Sequence, residues 1–199
     1  MQFKKVIMTQ PKTRERIEEK ADTLFYENGF EATSFADIAE AVGISRGNFY
    51  HHFKSKDDIL DAVIRRRLAK TRCMLGEWEA DAPPKARILS FIRILLTNQT
   101  KIMAFGCPVG TLTTELAKLD HVAHERAADI FTLFRDWLAE QFRALGHDDA
   151  KALALHLLGR TQGIAVMAST YHDEDYLASE VAALEGWLDA LSDKPSLKG

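Results

Sequence analysis

Residues 33–56 have the pattern of two short helices joined by a tight turn. Ser34 followed three residues later by Asp37 is a capping box, which predicts the start of the first helix. Gly43 stands where a sharp turn needs a residue that is free to take positive φ. Ser45 has the side chain of a typical N-cap, so the second helix is expected to begin directly after it.

The second of these helices is predicted to have two different faces. At 100° per residue, Phe49 and Phe53 point toward the first helix. The other face carries hydrogen-bonding or cationic side chains: Arg46, Asn48, Tyr50 and His51, with Gly47 among them. No Asp or Glu occurs in residues 41–56. Such a face is typical of units that enter the major groove of DNA, while a solvated hairpin in another all-α protein is the alternative.

The residues of the motif and its surroundings also match a family pattern. They are Ala21, Leu24, Phe25, Gly29, Thr33, Ser34, Asp37, Ile38, Ala39, Gly43, Ser45, Gly47, Phe49, Tyr50, Phe53, Ser55, Lys56 and Leu60. Through them, residues 17–63 resemble the DNA-binding domain of the TetR family of bacterial transcriptional regulators. The resemblance implies an all-α homodimer that binds operator DNA and carries a variable C-terminal effector domain.

The motif and the resemblance together give a set of predicted DNA contacts. Arg46, Gly47, Asn48, Tyr50 and His51 are expected to face the DNA, with Ser45 at the start of their helix. Thr33 and Ser34 are expected on phosphates. Lys56 resembles the family's phosphate-contacting lysine.

The rest of the chain shows helical spacing and no strand-like alternation, so the predicted fold class is all-α. A three-helix DNA-binding domain is expected over residues 1–56, and an effector-binding and dimerisation domain over residues 57–199. Helices are expected at about residues 12–28, 56–78, 85–105, 121–145, 148–170 and 173–191, with a short one ending near Lys118. The run Arg65, Arg66 and Arg67 reads as a solvated face. Residues 1–12 read as a terminal arm that is disordered or touches DNA.

Charge is unevenly distributed along the chain, whose formal net charge is −3. Up to Lys70 there are 13 Lys and Arg against 11 Asp and Glu; the remainder has 13 against 18. This favours a local DNA-binding patch joined to an acidic domain. Two cysteines are too few for a disulfide framework and fit a reducing cytoplasm. No apolar run is long enough to span a membrane.

An effector pocket is implied by the resemblance, and side chains of the second domain supply candidates for its lining. The apolar candidates are Phe91, Leu95, Met103, Phe105, Phe131, Phe134 and Trp137, and the polar ones are Gln99, Cys107, Thr113 and Gln162. Ordinary core packing is the alternative for each of them. Cys107 has no Lys, Arg or His beside it in sequence, which favours a structural cysteine over an oxidant sensor.

Two features near the C-terminus predict a homodimer. Gly159 and Gly163 lie one turn apart, where they allow close approach of a second helix. Leucines and a valine recur at spacings of three and four residues, which is the pattern of a two-helix seam. From these features the interface is predicted to contain Gly159, Gly163, Val181, Leu184 and Leu188.

Metal binding and catalysis find little support. His121, His124 and Glu125 have a possible ligand spacing, but exposed histidines on a charged helix are more often solvated. No phosphate-binding glycine loop or hydrolase motif occurs in the sequence. No cofactor, metal or enzymatic activity is therefore expected. Besides an effector-released repressor, a DNA-binding adaptor or nucleoid-associated protein controlled by a protein partner stays open.

Overall fold

The computed structural model describes residues 12–80 and 82–192. Across these residues the chain is all-α, as predicted, and no strand occurs. The helices are α1 Thr13–Asn28, α2 Phe35–Val42, α3 Arg46–His52, α4 Lys56–Glu79, α5 Pro84–Thr97, α6 Gln99–Phe105, α7 Pro108–Lys118, α8 His124–Ala144, α9 Ala150–Tyr171 and α10 Glu174–Ser192. Apart from Lys12, the predicted terminal arm lies outside the described residues.

The chain divides into two compact units, one up to Val63 and one from Ile64 onward. The division falls inside α4, two turns beyond the predicted domain boundary at residue 56. The first unit contains α1, α2, α3 and the start of α4. The second contains the rest of α4 and the remaining helices.

The first unit has a small aromatic and aliphatic core. Phe49 of the third helix and Phe53 directly after it are each 1% exposed, and Ile38 of the second helix is fully buried. Gly43 takes φ +74° in the left-handed region and ends α2, as the turn pattern predicts. Ser45 caps α3 through its Oγ, which accepts a hydrogen bond from the Asn48 backbone N–H at 3.3 Å. The predicted helix–turn–helix is therefore confirmed in its elements and their ends.

The second unit differs from the predicted helices at one clear place. A single helix was expected over residues 85–105, but α5 ends at Thr97 and α6 begins at Gln99. Asn98 lies between them with φ −107° and ψ 14°, and its side-chain amide donates to the Ile94 carbonyl at 3.0 Å. An asparagine that bonds to a nearby backbone carbonyl competes with helix continuation, and a pattern of apolar residues does not reveal it.

The Gly-Cys-Pro-Val-Gly segment at residues 106–110 leads directly into a helix. Pro108 is the first residue of α7, and Cys107 is its N-cap, whose Sγ accepts from the Gly110 N–H at 3.4 Å. Gly106 has φ +78°, a value that side chains rarely tolerate. A Cβ added at Gly110 would lie 2.7 Å from Oε1 of Gln162, so α7 approaches α9 closely at this glycine.

Inside the second unit, α4 is held by two polar contacts. Arg67 is only 8% exposed, and its guanidinium donates to the Pro108 carbonyl at the start of α7. This corrects the prediction that the arginine run is a solvated face: Arg65 is exposed, but Arg67 is buried. Near the other end of α4, the Trp137 indole N–H donates to the Glu79 carboxylate at 2.6 Å.

The described helices do not meet the requirements of a membrane span. None of them combines the length and the apolar character that crossing a bilayer needs.

Candidate nucleic-acid interface

The third helix presents the predicted reading residues to solvent. Arg46, Asn48, Tyr50 and His51 are exposed, as is Gly47 between them, while Phe49 behind them is buried. The tyrosine is 46% exposed, a large fraction for an aromatic residue in a small unit. The third helix therefore has the two distinct faces that a rotation of 100° per residue predicts. Hydrogen-bonding and cationic groups stand on one side of a helix that is anchored by aromatic packing on the other.

The C-terminal end of α3 is held by two cations. Arg14 of α1 donates from its guanidinium to the His52 carbonyl at 2.9 Å and lies 4.2 Å from the centre of the Phe53 ring. Lys54 donates from Nζ to the Tyr50 carbonyl at 2.6 Å. Carbonyls at the end of a helix have no partner within it, and cations there also favour the helix dipole. Because α3 has only seven residues, these contacts help to fix its orientation.

The first turn of α2 holds its cap with a reciprocal pair of hydrogen bonds. The Ser34 N–H donates to the Asp37 carboxylate at 2.7 Å, and the Asp37 N–H donates to Ser34 Oγ at 3.2 Å. The backbone bond from Ser34 lowers the pKa of Asp37 below its ordinary value of 3.8, and the bond to the Ser34 side chain adds to this effect. The Ser34 side chain is exposed at the start of α2, and its contact with a phosphate stays a prediction.

Thr33 does not have the predicted position on a phosphate. Its side chain is 1% exposed, and its hydroxyl donates to the Gly29 carbonyl at 2.7 Å. The hydroxyl closes the α1–α2 connection instead of facing solvent. The sequence places a threonine beside a helix cap but does not show that the preceding loop offers it a buried carbonyl.

Lys56 also has partners inside the unit. Its Nζ donates to the Phe30 and Glu31 carbonyls, each at 3.1 Å, and lies 4.4 Å from the centre of the Phe30 ring. The Glu31 carboxylate is 3.7 Å from the same ammonium. These contacts commit the ammonium to the loop between α1 and α2. These contacts fix that loop against the start of α4, and the phosphate contact of Lys56 stays a prediction.

The start of α4 has a reciprocal cap of the same kind as α2. The Lys54 and Ser55 N–H groups donate to the Asp58 carboxylate at 3.1 and 3.0 Å, and the Asp58 N–H donates to Ser55 Oγ at 3.0 Å. The bond from the Lys54 backbone is the largest cause that lowers the pKa of Asp58. Asp58 therefore stays ionised at neutral pH, and the two backbone N–H groups that donate to its carboxylate stabilise its charge.

Two family models match this chain in consecutive parts. Residues 17–63 match the bacterial regulatory proteins of the tetR family. Residues 84–183 match the C-terminal domain of LmrA/YxaF-like transcriptional regulators, which is half of the chain. The chain belongs to the TetR family. It is therefore a DNA-binding transcriptional regulator, not an enzyme, and the resemblance found in the helix–turn–helix sequence is confirmed.

Individual relatives extend the comparison over the whole chain. An uncharacterised HTH-type regulator from Lactococcus lactis subsp. lactis is 26% identical over 188 residues, which cover 92% of this chain and 96% of the relative. A TetR transcriptional regulator from Legionella pneumophila has a TM-score of 0.81 at 26% identity, covering 92% of this chain and 99% of the other. The repressor KstR2 from Rhodococcus jostii is 51% identical over 45 residues, only 23% of this chain and 22% of its own.

Most effector-pocket candidates of this TetR-family regulator lie in or against one hydrophobic cluster. Phe91, Leu95, Phe134 and Trp137 are buried in it, and the partly buried members packed against it include Met103, Cys107 and Phe131. The rings of Phe91 and Phe134 are 5.4 Å apart between centroids. Of the polar candidates, Thr113 is buried and Gln162 lies against Gly110. Which of these residues line a ligand pocket stays a prediction.

Two polar groups among these candidates already have partners in the second unit. The Thr113 hydroxyl donates within its own helix, to the Val109 carbonyl at 2.9 Å. The Trp137 indole is used by Glu79, as described above. Neither group is a free donor for a ligand in this conformation. Among the described residues, no group of three metal-ligating side chains forms around His121 and His124 or elsewhere.

The predicted dimer residues of the TetR-family regulator separate into two sets. Gly159 and Gly163 are exposed on α9. Val181, Leu184 and Leu188 are 0–2% exposed and belong to the core of their own subunit, so the seam predicted from their spacing is corrected. A repeat of three and four residues indicates that a helix is covered along one side. It does not distinguish a neighbour in the same chain from one in a partner.

Sequence reasoning missed two residues of the interface unit. Arg14 lies 38 residues before His52 in sequence, and only the fold brings it to the His52 carbonyl. Phe35 follows the α2 cap and reads as an ordinary core residue, yet it is only partly buried between two aromatic rings of α3. No local sequence pattern indicates this role of Arg14. The second was visible as an apolar residue in the first turn of α2, beside predicted DNA contacts.

Proposed function

We propose that this regulator is a repressor that binds a palindromic operator as a homodimer and leaves it when a small apolar or aromatic effector binds. The observation that carries the DNA-binding part is the exposed face of α3, whose Arg46, Asn48, Tyr50 and His51 stand in a segment without acids. Donors and acceptors of this kind pair with base edges in the major groove. The expected site of action is the cytoplasm, where a bacterial operator is accessible.

Repression and dimeric binding have separate support. The short, strong matches of the helix–turn–helix unit include repressors, among them KstR2. A palindromic site follows from two-fold symmetry, with half-site centres about 34–36 Å apart. The exposed apolar stripe on α9, with Leu155 and Val166 each 60% exposed, is the surface on which a partner subunit would lie.

The effector is proposed to be apolar or aromatic because the core of the second unit is rich in rings. Phe91 and Phe134 contact each other there, and Trp78 and Trp137 lie 5.7 Å apart between ring centroids. A ligand that enters between such helices gains from apolar burial. Release from DNA requires that the ligand bind the non-DNA-binding conformation more tightly. The Arg67 contact with the Pro108 carbonyl joins α4 to the start of α7. Through this contact, a movement of α7 on ligand binding would be passed to α4.

The experiment that tests the proposal is selection of bound sequences from random double-stranded DNA with the full-length protein. The expected result is an inverted repeat with half-sites about one helical turn apart. Titration of the bound operator with a panel of aromatic and aliphatic compounds should then release the protein. If no sequence is enriched, the proposal that the protein binds a specific operator is wrong. A clear operator with no release by any compound would favour the second reading, control by a protein partner.

A further inference from the structure

The first unit has an open notch between the start of α2 and the start of α3. It has a volume of about 300 Å³, and its walls include Phe35, Ala36 and Ala39 from α2 and Arg46, Phe49 and Tyr50 from α3. More of its lining surface is apolar than polar. No Asp or Glu lines it, although α2 carries Asp37 and Glu40.

An aromatic stack fixes the shape of this notch. The Phe35 ring meets the buried Phe49 ring edge-on, with centroids 5.2 Å apart and an interplanar angle of 87°. On its other side Phe35 lies 5.5 Å from the Tyr50 ring. Phe49 is 1% exposed and Tyr50 is 46% exposed. Phe35 therefore connects the packed core of the unit to an exposed residue of the reading face, and the notch opens beside that residue.

The notch is continuous with the proposed DNA-contacting surface, since Arg46 and Tyr50 belong to both. In the major groove, A, G and C present donors and acceptors, and thymine alone adds an apolar group, its C5 methyl. The apolar part of the notch, at Phe35, Ala36 and Ala39, offers no partner to a base-edge donor or acceptor, so placing such a group there would leave it without a hydrogen bond. A methyl group avoids this cost and gains apolar burial.

We propose that the notch formed by Phe35, Ala36 and Tyr50 reads the C5 methyl of one thymine in each operator half-site. This inference rests on the proposed function and adds to it an apolar specificity determinant beside the hydrogen-bonding residues of α3. Phe35 and Ala36 supply the methyl-contacting surface. Tyr50 forms the solvent-side wall, and its ring is held by Phe35.

The test uses the full-length protein and the operator obtained by selection. Each thymine is replaced in turn by deoxyuridine, which removes only the methyl group. One position per half-site should lose about fourfold in affinity, the worth of one buried methyl group, while the other thymines change less than about 1.5-fold. Ala36→Val places two more carbons on the methyl-contacting wall and should abolish the penalty at that position, because the methyl then loses its place against Ala36. Such non-additivity identifies the two groups as contact partners.

The matched control is Ala41→Val, which adds the same two carbons at an exposed position of the same helix. It should keep the deoxyuridine penalty of the wild type, and thermal melting of both variants checks that they are folded. A flat deoxyuridine scan overturns the inference. So does an Ala36→Val variant that weakens operator and scrambled DNA equally and keeps the penalty, since the notch would then lie on the sugar–phosphate backbone. If selection enriches no sequence, the proposed function itself fails.

Discussion

At the residue scale, the DNA-binding unit separates side chains that hold it together from those left to face a ligand. Thr33, Lys56 and Arg14 bond to backbone carbonyls of the unit. Asn48 and His51 are exposed on α3. The sequence predicted the second group from helical periodicity. It did not predict the carbonyl partners of Thr33 and Lys56, because a side chain's partner depends on where a loop turns, which no local pattern records.

Lys56→Ala should act on stability more than on DNA recognition. The substitution leaves the Phe30 and Glu31 carbonyls without the ammonium and removes its contact with the Phe30 ring. We expect a loss of about 1–2 kcal/mol in the free energy of unfolding, measured by urea titration. The salt dependence of operator binding should stay as in the wild type. A salt slope lower by about one, with unchanged stability, would restore the phosphate contact predicted from the sequence.

Arg14→Ala should weaken discrimination between operator and scrambled DNA. The His52 carbonyl loses its donor and the Phe53 ring its cation, so the short α3 is less well fixed. Operator affinity is expected to fall about fivefold, with scrambled DNA and the salt slope nearly unchanged, since no phosphate contact is lost. Lys20→Ala removes the same charge from an exposed position of α1 and is the control. An equal loss on both duplexes would assign Arg14 to general binding.

At the scale of elements, the helix ends were more predictable than the contacts between helices. Gly43 and the serine caps of α2 and α3 appear as the sequence indicates, because caps are encoded locally. The break at Asn98 and the N-cap role of Cys107 were missed, since they depend on competition between side chains and the backbone. The burial of Arg67 depends on α7 reaching α4, and an arginine run alone indicates solvent.

Arg67→Ala tests the contact between α4 and the start of α7. The buried guanidinium donates to the Pro108 carbonyl, so its removal takes away this hydrogen bond and opens a gap in the second unit. We expect a loss of about 2–3 kcal/mol in unfolding free energy, measured by urea titration. Arg65 is exposed two residues earlier on the same helix. Arg65→Ala should change the unfolding free energy by less than about 0.5 kcal/mol. Equal effects of the two substitutions would contradict the buried role of Arg67.

At the scale of the whole molecule, the surface for assembly is the part of the account that the sequence located least well. The apolar residues on the proposed face are exposed on α9, whereas the leucines with seam spacing on α10 are buried in their own subunit. Between α9 and α10 the structure has an open groove of about 500 Å³, with Gly159 and Gly163 in its lining. Glycines at exposed helix positions leave room for a second helix to approach.

Val166→Arg tests this face, since a buried, unpaired guanidinium at the centre of an apolar contact is costly. Light scattering at micromolar concentration should give twice the 22.4 kDa chain mass for the wild type and the single chain mass for the variant. Val122→Arg is the matched control, because Val122 is 83% exposed and lies outside α9 and α10. A monomeric wild type would contradict the proposed homodimer. A dimeric Val166→Arg protein would move the interface elsewhere.

The central claim is that the exposed face of α3 reads bases, and Asn48→Ala measures it most directly. Binding of wild type and variant is compared on operator and scrambled duplexes over a salt series at fixed pH. Asn28→Ala, at the exposed last residue of α1, is the control. The account predicts a loss of about 1–3 kcal/mol on the operator, much less on scrambled DNA, and no change in the control. An equal loss on both duplexes, or no loss on either, would contradict it.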